Sequence, residues 1–485
     1  MVDHTSKSLT SKSNVTRETC KPAQEGPLVD HALNDSVQLK AVPTTGKTYE
    51  WDQSLQGLIL GSFFYAYIIF QMPAGIAAEK YGGKWVICLC LFGSGVVSLI
   101  TPAITDLHVG VLIFARFVMG ACQAGIFPAC FGVLCKWMPL KERSTAFGLL
   151  QVGAKIGASV PLFLSGVLIG NYGWPSMFYM PGILAILVLV VFILFVKSSP
   201  DDHPLVSMQE LLYIRSEQES SDNNNNSNPE SRRPSYSPSS SSDKDKKVMP
   251  KIPWLKIITN VHVMTVALFQ FACFFILTIF YSLLPKYLNE VIHTDISTNG
   301  RINGILNAIS LITLMTTGTA SEIIIQKGWL SRTRTRKLFA LFSGFATGIC
   351  MFLIPSVGCN ETGIQIIVYT ASILSGFMNG SDTPLASEMS CNFPAALFAL
   401  LNMIATSSGF LGPAFAGAIL QSLEDDPWKA WQIIFYSCGS LNLFATAIFL
   451  AFASAERQAF DYLEEEETND AQIDFNEMSI RRGSY

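Results

Sequence analysis

Stretches of 18 or more mostly apolar residues, closed off by charges, glycines and prolines, recur along this 485-residue chain. Nothing constrains its fold more, because about 20 such residues in a helix cross the hydrocarbon core of a bilayer. The chain is therefore read as an all-α integral membrane protein. Eleven candidate spans emerge, over 55–78, 85–104, 109–134, 144–169, 176–197, 259–285, 303–325, 337–357, 363–388, 394–420 and 430–453. Only 14% of residues are charged, against roughly a quarter in soluble domains. A soluble enzyme is excluded. So is a nucleic-acid binder, since the net charge is −4 and the Lys and Arg form no basic domain. Most of the 11 cysteines, among them Cys88, Cys90, Cys122, Cys130, Cys273 and Cys350, fall in apolar segments, where thiols act as small hydrophobes. With no CxxC and no regular extramembrane spacing, neither a disulfide framework nor a metal site is expected. The polar first 50 residues carry no apolar core of a secretory signal.

Positive charge sets the orientation. The connections 79–84 (Lys80, Lys84), 135–143 (Lys136, Lys141, Arg143) and 326–337 (Lys327, Arg332, Arg334, Arg336, Lys337) hold ten Lys and Arg. The alternating connections 101–108, 170–175, 286–302, 358–362 and 421–429 hold three, Lys286, Arg301 and Lys429. Cytoplasmic loops collect Lys and Arg, so the first set, the central stretch and the C-terminal tail are assigned to the cytoplasm. The sequon Asn360-Glu361-Thr362 then falls on the opposite side, where glycosylation occurs. The resulting plan is a polar tail (1–54), five spans (55–197), a loop (198–258), six spans (259–453) and an acidic tail (454–485). The loop contains Asn223 to Asn226, a Ser run at 239–242, three prolines between 229 and 238, and Lys244, Lys246 and Lys247. Such a composition cannot bury a core and predicts disorder.

Three patterns recur in the same order in both halves. Gly75-Ile-Ala-Ala-Glu79 returns as Gly318-Thr-Ala-Ser-Glu322, Phe147-Gly-Leu-Leu-Gln151 as Phe398-Ala-Leu-Leu-Asn402, and Trp174-Pro-Ser-Met-Phe178-Tyr179 as Trp431-Gln-Ile-Ile-Phe435-Tyr436. Parallel repeats joined by a long loop point to the major facilitator architecture, two six-helix bundles around a central cavity. Glu322 closes the second span of its half, whereas Glu79 closes the first of its own. The register thus implies one more helix before residue 55, which 1–50 cannot supply. The two readings are an eleven-span chain with its N-terminus outside, and a splice or gene-model variant without the first helix. The variant is preferred, because that helix normally lines the cavity.

The functional reading starts from what is absent. Gly46-Lys47-Thr48 lacks the upstream glycine of a P-loop, and neither HExxH nor GxSxG occurs. No cofactor is called for, and secondary transport driven by an ion gradient or membrane potential remains. Ionisable residues inside spans are costly and therefore informative. Arg116, about seven residues and roughly 10 Å into its helix, is a candidate anion-binding cation; the alternative is an arginine snorkelling to the interface. Lys155 lies near the midplane among Gly153, Ala154, Gly157 and Ala158, as a substrate or coupling site or as the partner of a buried acid such as Asp382. Asp382, beside Pro384, is a candidate H⁺ or Na⁺ site or a cap at a broken helix. Glu79 and Glu322, with Lys84, are read as gate or helix-end residues. Tyr65 and Tyr67 face the cavity or pack at the interface. Arg232-Arg-Pro-Ser235 and Arg481-Arg-Gly-Ser484 have the form of basophilic kinase targets. The acidic run Glu464 to Glu467 is a solvated tail.

These residues resemble a known family. Gly61-Ser-Phe-Phe-Tyr-Ala-Tyr-Ile-Ile-Phe-Gln-Met-Pro-Ala-Gly75 with Tyr81-Gly-Gly-Lys84 is similar to the second helix and loop of the vesicular glutamate transporter, sialin and type I sodium-phosphate cotransporter family. So are Arg116-Phe-Val-Met-Gly120 with Pro128, Lys136-Trp-Met-Pro139 with Glu142-Arg143-Ser144, Gly173-Trp174 through Tyr179, and Phe452-Ala-Ser-Ala-Glu456. The resemblance spans about residues 52–460. It implies a carrier of organic anions or phosphate driven by membrane potential, H⁺ or Na⁺, in a vesicular, lysosomal or plasma membrane, with Arg116 as the fourth-helix anion-binding arginine. Departures shape this expectation. Gln123 replaces the Glu of glutamate-type members and sialin, so coupling through that carboxylate cannot operate and Gln123 would instead hydrogen-bond substrate. Leu60 and Cys273 replace a His and an Arg of the glutamate branch, which disfavours glutamate. Leu385-Ala-Ser-Glu388 replaces an Asn-His-Leu-Asp-like segment, leaving Glu388 as a second candidate for ion coupling. The first-helix Arg is absent with its helix, and Lys155, atypical at its position, would restore positive charge. Small anionic solute, co-ion and lipid bilayer are the expected partners. The reading from another class is a non-transporting isoform that regulates or dimerises with a full-length carrier.

Overall fold

The computed structural model describes residues 53–139, 142–215, 252–292, 294 and 296–461, and among these it is helical without strands. The first half holds α1 (Gln53–Tyr81), α2 (Gly83–Thr105), α3 (Val109–Gln123), α4 (Ile126–Trp137), α5 (Arg143–Tyr172) and α6 (Ser176–Phe195). The second holds α7 (Val261–Glu290), α8 (Ile296–Gln326), α9 (Arg332–Ala340), a π-helical turn (Leu341–Ala346), α10 (Thr347–Ser356), α11 (Glu361–Ser375), α12 (Met378–Ser381), α13 (Leu385–Met389), α14 (Pro394–Thr406), α15 (Ser408–Ser422) and α16 (Pro427–Phe452). Nine helical stretches are long and apolar enough to cross a membrane among the described residues, so the expected count of eleven is not matched by that measure. The ninth expected span, 363–388, falls into three pieces. Gly376 interrupts it first, and Pro384, which lacks an N–H, ends any continuous ladder across 382–384. The fourth, 144–169, lies within the continuous 30-residue α5.

Local chemistry explains where the helices stop and start. Gly82 (φ 87°) and Gly173 (φ 75°) adopt the left-handed region at the ends of α1 and α5, which glycine reaches without a Cβ penalty. Side-chain caps open others. Asn260 accepts the N–H groups of His262 and Val263 at α7, Asn360 that of Gly363 at α11, and Asp426 that of Lys429 at α16. Of the central stretch 198–258, residues 208–215 and Trp254–Ile258 are helical, and 216–251 lie outside the described residues. The first 52 residues, 462–485 and both kinase-type motifs lie outside them as well.

Packing follows the repeat. In the first lobe α2 lies against α6 and α1 against α3; in the second α10 lies against α16 and α8 against α11. The lobes meet along two equivalent seams, α5 on α8 and α1 on α14. At their junction Phe131 of α4 is stacked between Phe147 of α5 and Phe398 of α14, with ring centroids 4.2 and 4.3 Å apart. Phe147 and Phe398 are the counterparts in the second repeat pattern, so one ring of the first lobe is held by both copies of the motif. Among the described residues nine cysteines are free, and no metal-capable cluster of His, Cys, Asp or Glu occurs. Cys359, however, is disulfide-bonded, contrary to the expectation from spacing. It sits in the connection 358–362, opposite the basic loops.

Close helix contact in the first lobe depends on Gly120, where a Cβ would run into the backbone carbonyl of Phe63. Gly153 has nothing within 4 Å of a Cβ. Gly120→Ala should therefore cost about 1–3 kcal/mol, seen as a lower melting temperature of the detergent-purified protein, while Gly153→Ala melts with the parent.

Candidate functional site

Two features on the seam between the lobes concentrate the polar chemistry: a cavity, and a set of clasps at the end of the bundle that carries the basic loops. The cavity measures about 460 Å³ and takes its wall from both lobes. From α5 come Gln151, Ala154, Lys155 and Ala158, a stripe at three- and four-residue spacing that a helix places on one face. Lys155 is twelve residues into α5, roughly 18 Å from its start. The second lobe supplies Phe274, Leu277, Thr278 and Ser282 of α7 at the same kind of spacing, then Ser310 and Leu314 of α8. Ser375, Gly376 and Met378 add the first break of the ninth span, and Phe64 and Gly409 complete the wall. Lys155 Nζ donates a hydrogen bond to Ser310 Oγ across the seam.

Below the cavity the basic end is shut by two equivalent contacts. Glu79, near the end of α1, accepts the backbone N–H of Ala395 at 2.6 Å in the first turn of α14. A carboxylate there meets unpaired N–H groups and the positive end of the helix dipole. Its repeat counterpart Glu322, near the end of α8, accepts a hydrogen bond from Ser144 Oγ in the first turn of α5. Each lobe thus reaches with a glutamate to a helix start of the other.

Arg336 of α9 binds this arrangement together. It is 2% exposed, and all three nitrogens are engaged. Nη2 donates to Glu388 Oε1 (2.6 Å), Glu322 Oε1 (3.0 Å) and Ser144 Oγ (3.1 Å), Nη1 to Ser321 Oγ (3.1 Å) and the Gly380 carbonyl (3.0 Å), and Nε to Glu388 Oε2 (3.2 Å). Paired, fully hydrogen-bonded charge is the condition under which an arginine tolerates burial. A second fixture lies alongside. Asp461, 1% exposed, accepts from Ser390 Oγ (2.7 Å), Cys391 N (2.9 Å), Asn392 N (3.1 Å) and Arg457 Nε (2.6 Å). The segment after α16 therefore straps the loop that leads into α14.

The residues singled out from sequence are distributed unevenly over these features. Lys155 stands in the cavity. Glu79, Glu322 and Glu388 stand in the clasps, the last as the ion-pair partner of Arg336. Lys84, 6% exposed, donates to the Ile193 carbonyl at 2.9 Å and so holds the end of α6 within the first lobe. Asp382 is 1% exposed between the second break and α7. Ser381 Oγ donates to its Oδ1 at 2.9 Å, Gln270 stands beside the carboxylate, and Oδ2 has no hydrogen bond of good geometry. Arg116 and Gln123 do not join Lys155 among the described lining residues. The Arg116 guanidinium lies over the Phe178 ring, 5.4 Å from its centre, and Gln123 ends α3, half-buried. Tyr65 is 49% exposed and Tyr67 is half-buried, near Gln71 and Asn402. Arg336 escapes sequence reasoning, since it reads as one of five basic residues in a loop. Its i, i+4 offset from Arg332 inside a helix that opens at the Ser331 cap is the signal that could have separated it.

Removing the Arg336 side chain leaves two buried carboxylates without a counter-charge, which costs about 3–5 kcal/mol. Arg336→Ala is expected to lower thermal stability accordingly, and Glu388→Gln, which keeps one acceptor, to lower it less.

The profile described as Major Facilitator Superfamily matches residues 31–393 of the chain. Human sialin is 27% identical over 94% of this chain and 85% of its own length. Vesicular glutamate transporter 3 of Danio rerio is 28% identical over 87% of this chain and 67% of its own. Among solved structures, a proton:xylose symporter superposes with a TM-score of 0.58 at 15% identity, covering 84% of this chain and 88% of the other.

Proposed function

The chain belongs to the major facilitator superfamily, and from that premise we propose that it is a secondary-active carrier of organic anions or phosphate, driven by membrane potential, H⁺ or Na⁺. Multi-pass membrane insertion follows from the apolar helices and the family together. One observation carries the anion reading: a lysine in a cavity shared by both lobes, hydrogen-bonded across the seam to Ser310. A cation on the wall of such a cavity attracts anionic solutes and can form charge-assisted hydrogen bonds with them. The relatives named for vesicular glutamate transport, and sialin, add support.

Alternating access then has a physical basis in the clasps. The cross-lobe links at the basic end are a glutamate on a backbone N–H and a glutamate on a serine hydroxyl. Hydrogen bonds of this kind contribute about 1–3 kcal/mol each, strong enough to hold a closed end and weak enough to release it. Positive-inside asymmetry makes that end the cytoplasmic one. Lys155 is assigned to substrate, Glu79 and Glu322 to the gate, and Asp382, whose carboxylate is only half satisfied, to the co-ion ahead of the fully paired Glu388. Arg116 and Gln123, lying outside the described wall, are assigned a supporting place in the first lobe.

Uptake of labelled anions into proteoliposomes tests this. Loss of a charge-assisted hydrogen bond costs about 1.5–3 kcal/mol, so Lys155→Ala should reduce sub-saturating uptake by about tenfold or more while Lys155→Arg retains most of it. Unchanged uptake in Lys155→Ala would remove the anion assignment.

A further inference from the structure

The residues that follow α16, 453–461, are folded back onto the clasp end of the second lobe. Ala455 N donates to Thr333 Oγ1 at the start of α9 (3.1 Å) and Gln458 N to the Met389 carbonyl at the end of α13 (3.0 Å). Asn260, the cap of α7, donates through Nδ2 to Gln458 Oε1 (3.2 Å). Ala453, Ala455 and Phe460 are buried in the hydrophobic cluster that also holds Phe131, Phe147 and Phe398. Hydrogen bonds and apolar burial together seat this strap beside the junction of the lobes.

Asp461 at its end shapes the loop that leads into α14. Residues 390–393 lie in no helix, so their N–H groups need partners from elsewhere. Asp461 accepts those of Cys391 and Asn392 and the hydroxyl of Ser390, and Asn392 Nδ2 donates to the Asp461 carbonyl at 2.8 Å. Ser390 Oγ in turn accepts the N–H of Phe393 at 3.0 Å. Pro394, the first residue of α14, has no N–H. The first donor that α14 itself can present across the seam is therefore Ala395 N, which Glu79 accepts. One carboxylate thus fixes the residues immediately before the N–H that closes this clasp. Arg457 pairs with Asp461 from within the same segment (2.6 Å), so that ion pair travels with the strap if the strap lifts.

We propose that Asp461 is a positioning residue for the cytoplasmic gate: by holding 390–393 it aims Ala395 N at Glu79, and release of the strap loosens the contact between the lobes. This rests on the reading of Glu79 as a gate residue and adds a control that lies beyond the last span. The two equivalent clasps then differ in what supports them. Glu322 is backed by the Arg336 ion network, and the acceptor site of Glu79 is backed by the strap.

Hydrogen–deuterium exchange of the full-length protein in detergent, read by mass spectrometry, tests the assignment. Asp461→Asn should speed exchange in 390–396 by about tenfold or more, the equivalent of one hydrogen bond to a charged group. It should also speed exchange across the seam in the first turns of α5 (143–147), where Ser144 and Phe147 are buried, and leave α2 unchanged. Glu79→Gln should give the same response at α5, and the double variant no more than the larger single one, as for residues that act on one contact. Ser390→Ala, which removes a single hydroxyl, should act in the same direction more weakly, and it decides the matter if Asp461→Asn does not fold. Faster exchange confined to 390–393, or additive effects of the Asp461 and Glu79 variants, overturns the positioning role and leaves the gate reading standing. Faster exchange in α2 together with α5 assigns Asp461 to general stability and overturns the role as well. An unaltered α5 in Glu79→Gln overturns the gate reading itself.

Discussion

A buried guanidinium dictates how the basic end of this molecule can be assembled. Arg336, sealed from water, needs every donor satisfied, and it finds its two carboxylates, Glu322 and Glu388, inside its own lobe. The ionic part of the network therefore survives any separation of the lobes. Among the described residues only Ser144 reaches it from the other side, and it does so with a hydroxyl. Ion pairing is built into one lobe, and the link between lobes is left to hydrogen bonds in which one partner, a hydroxyl or a backbone N–H, is uncharged. Had the ion pair itself spanned the seam, opening would expose or strand a charge at several kcal/mol, a poor property for the alternating access proposed above. Glu79 follows the same logic in reverse, resting on a backbone N–H of α14 and not on a cation across the seam.

Much of this arrangement is legible in sequence because it is written twice. Gly75 to Glu79 and Gly318 to Glu322 lead to equivalent glutamates at equivalent clasps, and Phe147 and Phe398 lead to the two faces of one stacked ring. A repeat constrains geometry that a single motif cannot, since both copies must fit the same pseudo-symmetric frame. Depth along a helix is also legible. Counting residues puts Lys155 in the interior of α5, and there it lines the cavity. Rotation about the helix axis is not legible in the same way. Arg116 also lies well inside its span, yet its guanidinium turns to Phe178 within the first lobe, and Gln123, two turns further along α3, lies off the described wall with it. Arg336 was hidden for the converse reason: five basic residues in one connection read as a charged loop, and burial of one among them depends on the neighbouring lobe.

Hydropathy also runs unbroken through the ninth span where the helix is interrupted twice, and those interruptions mark the segment that connects cavity and clasp. Ser375, Gly376 and Met378 form wall, Gly380 offers its carbonyl to Arg336, and Glu388 pairs with the same arginine. Fourteen residues, Ser375 to Glu388, therefore run from cavity wall to clasp, and they contain both breaks of the helix. Their far end is not free to follow, because Asp461 holds the backbone and side chains of 390–392. A displacement of Met378 is thus confined between a fixed strap and a fixed arginine. It must be absorbed by the turns at 376–377 and 382–384, or passed to the Gly380 carbonyl and so to the group that Ser144 contacts. Continuous helix would spread such a displacement over many residues. Two breaks localise it, which is the requirement for an element with discrete arrangements that two sites can bias.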